Sequence, residues 1–322
     1  MRALLQSKPA KIIYLILISG IMLMFWHSLS RPVFTDPSST LIESRDGELL
    51  SAVIADDMQW RFPEQQDVPE KFSICIQEFE DRYFPYHFGV NPFSIVRAIY
   101  QNIKAGERVS GASTISMQTI RLSRKGKPRT IKQKIIESLL AIRLEMEYSK
   151  EEILAMYASH APFGGNVVGL DAAAWRYYGR PAENLSWSEA ATLAVLPNAP
   201  SLIFPGRNKD KLRRKRNRLL KRLKKQNHID STTYKLSCRE SLPGKPHYIP
   251  QEAMHLLTRC INNGDKGERI QSTLDNQLQK QIKNLARHHH ERLSNNGIQN
   301  LAALVLNNKT NKVAAYIGNV SK

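Results

Sequence analysis

The chain has 322 residues, of which 42% are hydrophobic, and a formal net charge of +18. That apolar content supports a packed core and excludes an intrinsically disordered chain, and the length leaves room for one large domain or two smaller ones. The charge predicts an anionic counterpart of one of three kinds, nucleic acid, an acidic membrane surface or a phosphorylated substrate, while three scattered cysteines exclude a disulfide framework and any Cys-x-x-Cys metal or redox pair.

From Ile12 to Leu29 no residue is charged, close to the ~20 residues with which a helix crosses a bilayer. Arg2, Lys8 and Lys11 precede this run and Arg31 follows it, so the positive-inside rule places a tail of residues 1–11 in the cytoplasm, a transmembrane anchor over 12–29 and the bulk of the chain outside. Trp26 fits an interfacial position. A cleaved signal peptide is the alternative, with Ser28-Leu29-Ser30 as a poor cleavage site. Either way the protein is exported, which counts against nucleic acid as a partner.

Between Arg45 and Trp60 the Asp46-Gly47 turn signal, followed by Leu49, Leu50, Val53 and Ile54, predicts a short hairpin. Phe72, Cys75, Ile76 and Phe79 then recur at i, i+3, i+4 and i+7, the pattern of a helix packed on a core, with Cys75 as core filler. Glu80 falls on the border of that apolar face, where partial desolvation raises a carboxylate's pKa and suits it to accept a proton near neutral pH. Pro85 biases Phe84 away from helical dihedrals, so the helix is expected to end just past Glu80 and open into a loop bearing Tyr86, His87 and Gly89.

Gly111-Ala112-Ser113-Thr114 ahead of Ile115 reads as a helix N-terminus whose free amides and hydroxyls can meet an anion. From Thr130 to Glu147 the pattern is again helical, with Ile131, Ile135, Leu139, Ile142 and Met146 on one stripe and Lys134 and Glu137 on a common side, pointing together into a groove. Ser149 to Glu152 and Ser186 to Glu189 are capping boxes, Phe163 to Asn166 is a tight loop, and a helix from Asp171 to Tyr178 is stopped by Gly179. The whole region is expected to be all-α with short loops.

Beyond it, Lys209 to Lys225 reads as a solvated basic connector helix, resting on lipid if on anything, and without the interleaved aromatics that nucleic-acid binding uses. His288, His289 and His290 are consecutive on a helical pattern and cannot share one face, so they form no metal site. Leu301 to Leu306 and Lys312 to Ile317 read as two strands. A bridge between Cys238 and Cys260 is left open.

Five segments stand in an order that resembles the peptidoglycan glycosyltransferases of family 51, as found in the N-terminal part of class A penicillin-binding proteins of the 1C type. They are Glu80-Asp81-Arg82-x-Phe84-x-x-His87-x-Gly89; Gly111-x-Ser113-Thr114-Ile115-x-Met117-Gln118; Lys134-x-x-Glu137; Lys150-x-x-Ile153-Leu154 through Tyr157 to Gly169 and Ala172; and Ser188-Glu189-Ala190-Ala191 ahead of Leu196-Pro197-Asn198-Ala199-Pro200. Met117 and the Ala161 to Gly165 loop favour the 1C type. The resemblance covers roughly residues 40–207 and implies a mostly α, lysozyme-like glycosyltransferase domain with a membrane-proximal lobe, in the inner membrane by a single pass. Residues 208–250 are then a basic connector and 251–322 the start of an incomplete, transpeptidase-like α/β segment, as of a truncated or split product.

Carried over by position, the resemblance makes Glu80 the catalytic base and Glu137 the second acidic residue. It places Asp81, Phe84, His87, Gly111, Ser113, Thr114, Gln118, Arg121 and Lys134 about the substrate, which would be lipid II and the nascent glycan. No cofactor is required, and Mg²⁺ or Mn²⁺ is allowed. Inner-membrane lipid, other cell-wall synthesis proteins and a separate transpeptidase chain are the partners it admits. Two positions depart from the common pattern: Gln133 stands where the third motif usually has Arg, and Arg121 where a Lys is common, so that Arg121 or Arg129 would supply the missing charge. No Ser of the chain is followed three residues later by Lys, so no penicillin-acylated nucleophile is expected in it. A lysozyme-like glycan-cleaving enzyme and an inactive membrane scaffold are the competing readings.

Overall fold

A computed structural model describes residues 8–106, 111–125, 127, 130–198 and 208–320. Ala199, Pro200 and Arg129, which the sequence reading uses, lie outside the described residues. The chain divides into two units, residues 1–36 with 80–157 and residues 37–79 with 158–322.

The first unit is helical: α1 (Lys8–Trp26), α3 (Pro92–Ala105), α4 (Ile115–Ser123), α5 (Ile131–Glu145) and most of α6 (Lys150–His160). Sequence fixes their starts. Asn91, Thr114 and Thr130 each turn a side-chain oxygen onto an amide of the first turn, and Ser149 with Glu152 forms the expected capping box at 2.7 and 3.2 Å. Helices α4 and α5 pack together around Ile115, Met117, Ile120, Ala141 and Leu144, all buried.

An apolar stripe on a helix ordinarily faces a core. In α5 it does not: Ile131, Ile135 and Leu139 are exposed, and the buried positions are Glu137, Ala141, Arg143 and Leu144. Helix α3 likewise exposes Phe93, Val96, Tyr100 and Ile103. The side chains of α1 from Leu15 to Leu23 are exposed too, and among the described residues no helix is long and apolar enough to cross a membrane. At the end of α1, Arg143 is fully buried under Trp26: its Nε donates to the Trp26 carbonyl at 3.1 Å, its guanidinium lies 4.3 Å from the indole centroid, and it pairs with Glu147 at 2.8 Å.

The second unit holds the strands. β1 (Thr40–Glu43) and β2 (Leu49–Val53) form the hairpin expected around Asp46-Gly47, with Ile42 opposite Ser51. A third strand, β6 (Arg269–Gln271), pairs in parallel with β1, Leu41 opposite Arg269 and Glu43 opposite Gln271. Ile42, Leu50, Ala253, Leu257 and Leu274 form a core cluster beneath this sheet. Arg269 then joins Glu43 and, at 2.8 Å, Asp171.

The stretch expected to be all-α contributes two strands, β5 (Val167–Val168) and β4 (Pro162–Gly164), to a second small sheet with β3 (Trp60–Arg61), in the order β3-β5-β4. Of the loop expected over Phe163 to Asn166, Phe163 and Gly164 belong to β4, and Gly165 and Asn166 form the turn of the hairpin. Strands of two or three residues are too short to carry a period-2 signal. Helix α2 (Glu70–Glu80) buries Phe72, Cys75 and Ile76, with the Phe72 and Phe163 rings 6.2 Å apart, and burial pushes the Cys75 thiol pKa up. α7 (Leu170–Tyr178) ends on Gly179 in the left-handed conformation, and α8 (Trp187–Val195) opens with the predicted capping box and is buried from Ser188 to Val195.

Helix α9 (Lys209–Lys225) is not a solvated connector on all sides. Leu212, Leu219, Leu220 and Leu223 are buried, and it packs on α8 and α10 (Ser231–Arg239). Arg216 is fully buried. Its guanidinium donates to Ser188 Oγ (3.1 Å) and to the Cys238 and Glu240 carbonyls (3.1 and 2.8 Å), which cap the otherwise open end of α10. After α11 (Met254–Asn262), α12 (Asn276–Ser294) packs on the antiparallel pair β7 (Ala303–Asn307) and β8 (Lys312–Ile317). All three cysteines are free.

Candidate active site

The residues singled out at Glu80 and beyond gather within the first unit. α2 ends on Glu80, followed by a short 3-10 turn over Phe84–Tyr86, as the position of Pro85 predicts. Gln118, on the second turn of α4, donates from Nε2 to Glu80 Oε2 at 2.9 Å. The proposed base is therefore oriented by a side chain of the second motif.

Asp81 anchors the loop. Its Oδ2 accepts from the Ile115 amide at 3.1 Å and pairs with His87 Nε2 at 2.8 Å, both carboxylate and imidazole being nearly buried. Thr114 Oγ1 donates to the Gly89 carbonyl at 2.6 Å and accepts from the Met117 amide at 3.2 Å. The N-terminus of α4, expected to offer free amides to a substrate anion, thus meets the protein's own carboxylate at Ile115 and its own hydroxyl at Met117. A negative side chain suits a helix N-terminus for the same electrostatic reason that a phosphate does. Gly89 is required here: at φ +75° a Cβ would stand 2.6 Å from the Ile142 amide nitrogen of α5.

Glu137 is nearly buried and held by Arg121 through two parallel bonds, Nε to Oε1 at 3.0 Å and Nη2 to Oε2 at 2.8 Å. Lys134, expected to pair its direction with Glu137, sits half-buried one turn earlier on α5, while Glu137 takes its counter-charge from α4. Arg121 therefore serves Glu137. The Gln133 amide oxygen is buried without a hydrogen bond.

Phe84 is buried beneath the loop, its ring 4.4 Å from Lys150 Nζ. Lys150 also donates to the His87 carbonyl and to Glu145 Oε1, both at 2.7 Å, and Ser116 Oγ donates to the same Glu145 oxygen. Phe84 and Thr114 hold the loop in place, whereas Gly111 is exposed and Ser113 and Gln118 are half-buried. Glu145 and Tyr157 are the residues sequence reasoning gave no role. Tyr157 is buried with its hydroxyl unpartnered, and burial, reinforced by the charge of Glu80 and opposed by Arg121, raises its phenol pKa well above the usual range. The fourth segment includes Tyr157, but its spacing alone does not show that the phenol is buried near Glu80.

Residues 46–224 match the transglycosylase family. Penicillin-binding protein 1C of Escherichia coli (strain K12) is 37% identical over 281 residues, which are 87% of this chain and 36% of that protein. Penicillin-binding protein 1A of Aquifex aeolicus is 34% identical over 213 residues, 66% of this chain and 29% of that one. A crystal structure of penicillin-binding protein 1A from Haemophilus influenzae aligns over 79% of this chain and 29% of its own, with 17% identity and a TM-score of 0.35.

The chain belongs to the transglycosylase family, with the peptidoglycan glycosyltransferases of class A penicillin-binding proteins. Within that class it is similar to the 1C type, and it spans about a third of the length of the curated relatives it matches. The matched stretch runs through α9, beyond the limit near residue 207 expected from the motifs.

Proposed function

We propose that the chain is a membrane-anchored enzyme that polymerises lipid II, a disaccharide-peptide on undecaprenyl pyrophosphate, into glycan strands. The observation that carries the reading is Glu80 at a helix end, aimed by Gln118 and followed directly by the Asp81, His87 and Ile115 latch. A sugar 4-hydroxyl is a weak nucleophile and needs a base in the transition state. Glu80 takes its proton as the oxygen bonds to the anomeric carbon of the growing strand. The bond from that carbon to the lipid pyrophosphate breaks, and the electron pair leaves with the pyrophosphate, so the configuration inverts.

Charge then develops on the leaving group, and a fixed cation stabilises it. Lys134 is our assignment for that cation, because Arg121 is committed to Glu137. Glu137 keeps Arg121 and α4 in register with α5, and Gly111, Ser113 and Gln118 line the donor side. Among the described residues no three His, Cys, Asp or Glu side chains are grouped to hold a metal ion.

The uncharged run from Ile12 to Leu29 and the exposed apolar faces of α1, α3 and α5 support a single-pass anchor, with the first unit resting against lipid and the site outside the cytoplasm. Residues 251–322 would open a transpeptidase-like segment, and other cell-wall synthesis proteins are the partners this reading admits. Incubation of the purified chain with labelled lipid II tests it. Long glycan supports polymerisation, shortened glycan from a preformed strand would point to a lysozyme-like hydrolase, and no product would point to a scaffold.

A further inference from the structure

Eleven of the seventeen residues of α9 are Lys or Arg, against the single acid Asp210. Over half of the chain's formal charge of +18 is thus concentrated on one helix. One face of α9 is accounted for by its buried leucines and by Arg216. The opposite face exposes Lys211, Arg214, Arg218, Lys221 and Lys225, and Arg213 is exposed on its flank. Its own acid neutralises little, since Asp210 is exposed and pairs with Arg213 at 3.3 Å. Like charges at i,i+3 and i,i+4 disfavour a helix, so this face is repulsive until an anion meets it.

We infer that the outward face of α9 is a docking surface for the anionic phospholipid headgroups of a bilayer. The cations run along a helix of about 25 Å rather than converging on one point, which matches a planar array of phosphates and not a single small anion. No aromatic residue stands among them to stack a base. The leucines are already buried, so α9 adsorbs by charge alone and does not insert. A chain tethered to a bilayer has headgroups within reach, and the inference rests on the membrane-anchored reading above. Each cation held against an anionic surface strengthens attachment about fivefold.

The test uses the full chain in vesicles of phosphatidylcholine, with or without phosphatidylglycerol. A neutral, water-soluble amine reagent labels exposed lysines, and mass spectrometry follows Lys211, Lys221 and Lys225 against the exposed reference residues Lys309 and Lys312. Labelling of the α9 lysines is expected to slow at least about fivefold in the anionic vesicles, and the difference should collapse at about 1 M salt, where the screening length is ~3 Å. A chain carrying Arg213→Gln, Arg214→Gln and Arg218→Gln keeps helix propensity and all three reporters, and it should lose most of the protection while still floating with the vesicles. Flotation with equal labelling in both vesicle types overturns the inference alone. Protection that requires an added acidic polypeptide, and not phosphatidylglycerol, also overturns it in favour of a protein partner. Failure to float with either vesicle overturns the anchored reading and the inference together.

Discussion

Asp81 is the residue on which the first unit's loop turns, and two substitutions separate its charge from its hydrogen bonds. Its Oδ2 serves the Ile115 amide and His87 Nε2 in a nearly buried setting. Asp81→Asn keeps an oxygen for these donors but lowers both bonds from the charged class to the neutral one and removes the charge at the α4 N-terminus. That amounts to about 2–3 kcal/mol. Asp81→Ala leaves both partners buried and unpaired, a loss of about 3–5 kcal/mol. Against the ~5–15 kcal/mol of a typical domain, the Asn variant should fold and the Ala variant should be marginal. Ile115 opens α4 and Gln118 follows on the same helix, so slackening this latch moves the group that orients Glu80. Denaturant unfolding should rank the chains wild type, Asn, Ala, and lipid II polymerisation by the folded Asn variant should fall while its helix content is retained. Should Asp81→Ala cost less than about 1 kcal/mol and leave glycan synthesis unchanged, the latch has been misread.

Glu80→Gln preserves size and the bond from Gln118 but removes the proton acceptor, and polymerisation should fall by about 10²-fold to 10⁴-fold; near-normal glycan synthesis would refute its role. Gly89→Ala forces a Cβ onto the α5 backbone at a positive φ, which should lower stability by at least about 1–3 kcal/mol, visible as a reduced unfolding midpoint. Asp171 is pushed up to about 6, chiefly by burial and against the pull of Arg269. An acid raised in the folded state contributes stability that is full below its unfolded pKa, near 3.9, and is lost as pH rises through about 6, up to about 3 kcal/mol. Unfolding curves across that window should steepen in pH for the wild type relative to Asp171→Asn; parallel curves would show that Asp171 titrates normally.

The helix that delivers Glu80 was legible because Phe72, Cys75 and Ile76 mark one buried face and Pro85 stands just beyond its end. The caps at Thr114, Ser149 and Ser186 were legible for the same reason, since capping is local chemistry. Direction was not. A 3.6-residue period shows that α5 has an apolar face but not which medium the face meets, and Ile131, Ile135 and Leu139 are turned outward. Nor could spacing reveal that Arg121 rather than Lys134 holds Glu137, or that Asp81 fills the helix N-terminus reserved for a ligand, because both depend on elements brought together over 16 and 34 residues of separation. Arg216 read as one more surface cation in a basic run, and only the packing of α9 on α10 makes it a buried cap.

The parallel pairing of β1 with β6 bears on how the chain is made. β1 is complete once residue 43 has been synthesised, but the partner bonded to it through Arg269 and Glu43 follows 226 residues later. At about 5–20 residues per second that is a wait of roughly 10–45 s. During it the outer edge of the β1 and β2 hairpin lacks its third strand, and Ile42 and Leu50 lack Leu257 and Leu274, with which they form a core. An open edge over an uncovered apolar face is the feature by which nascent sheets aggregate. A holding factor acting on this hairpin before residue 271 emerges would therefore raise the yield of folded protein, whereas one acting later would find the edge already closed.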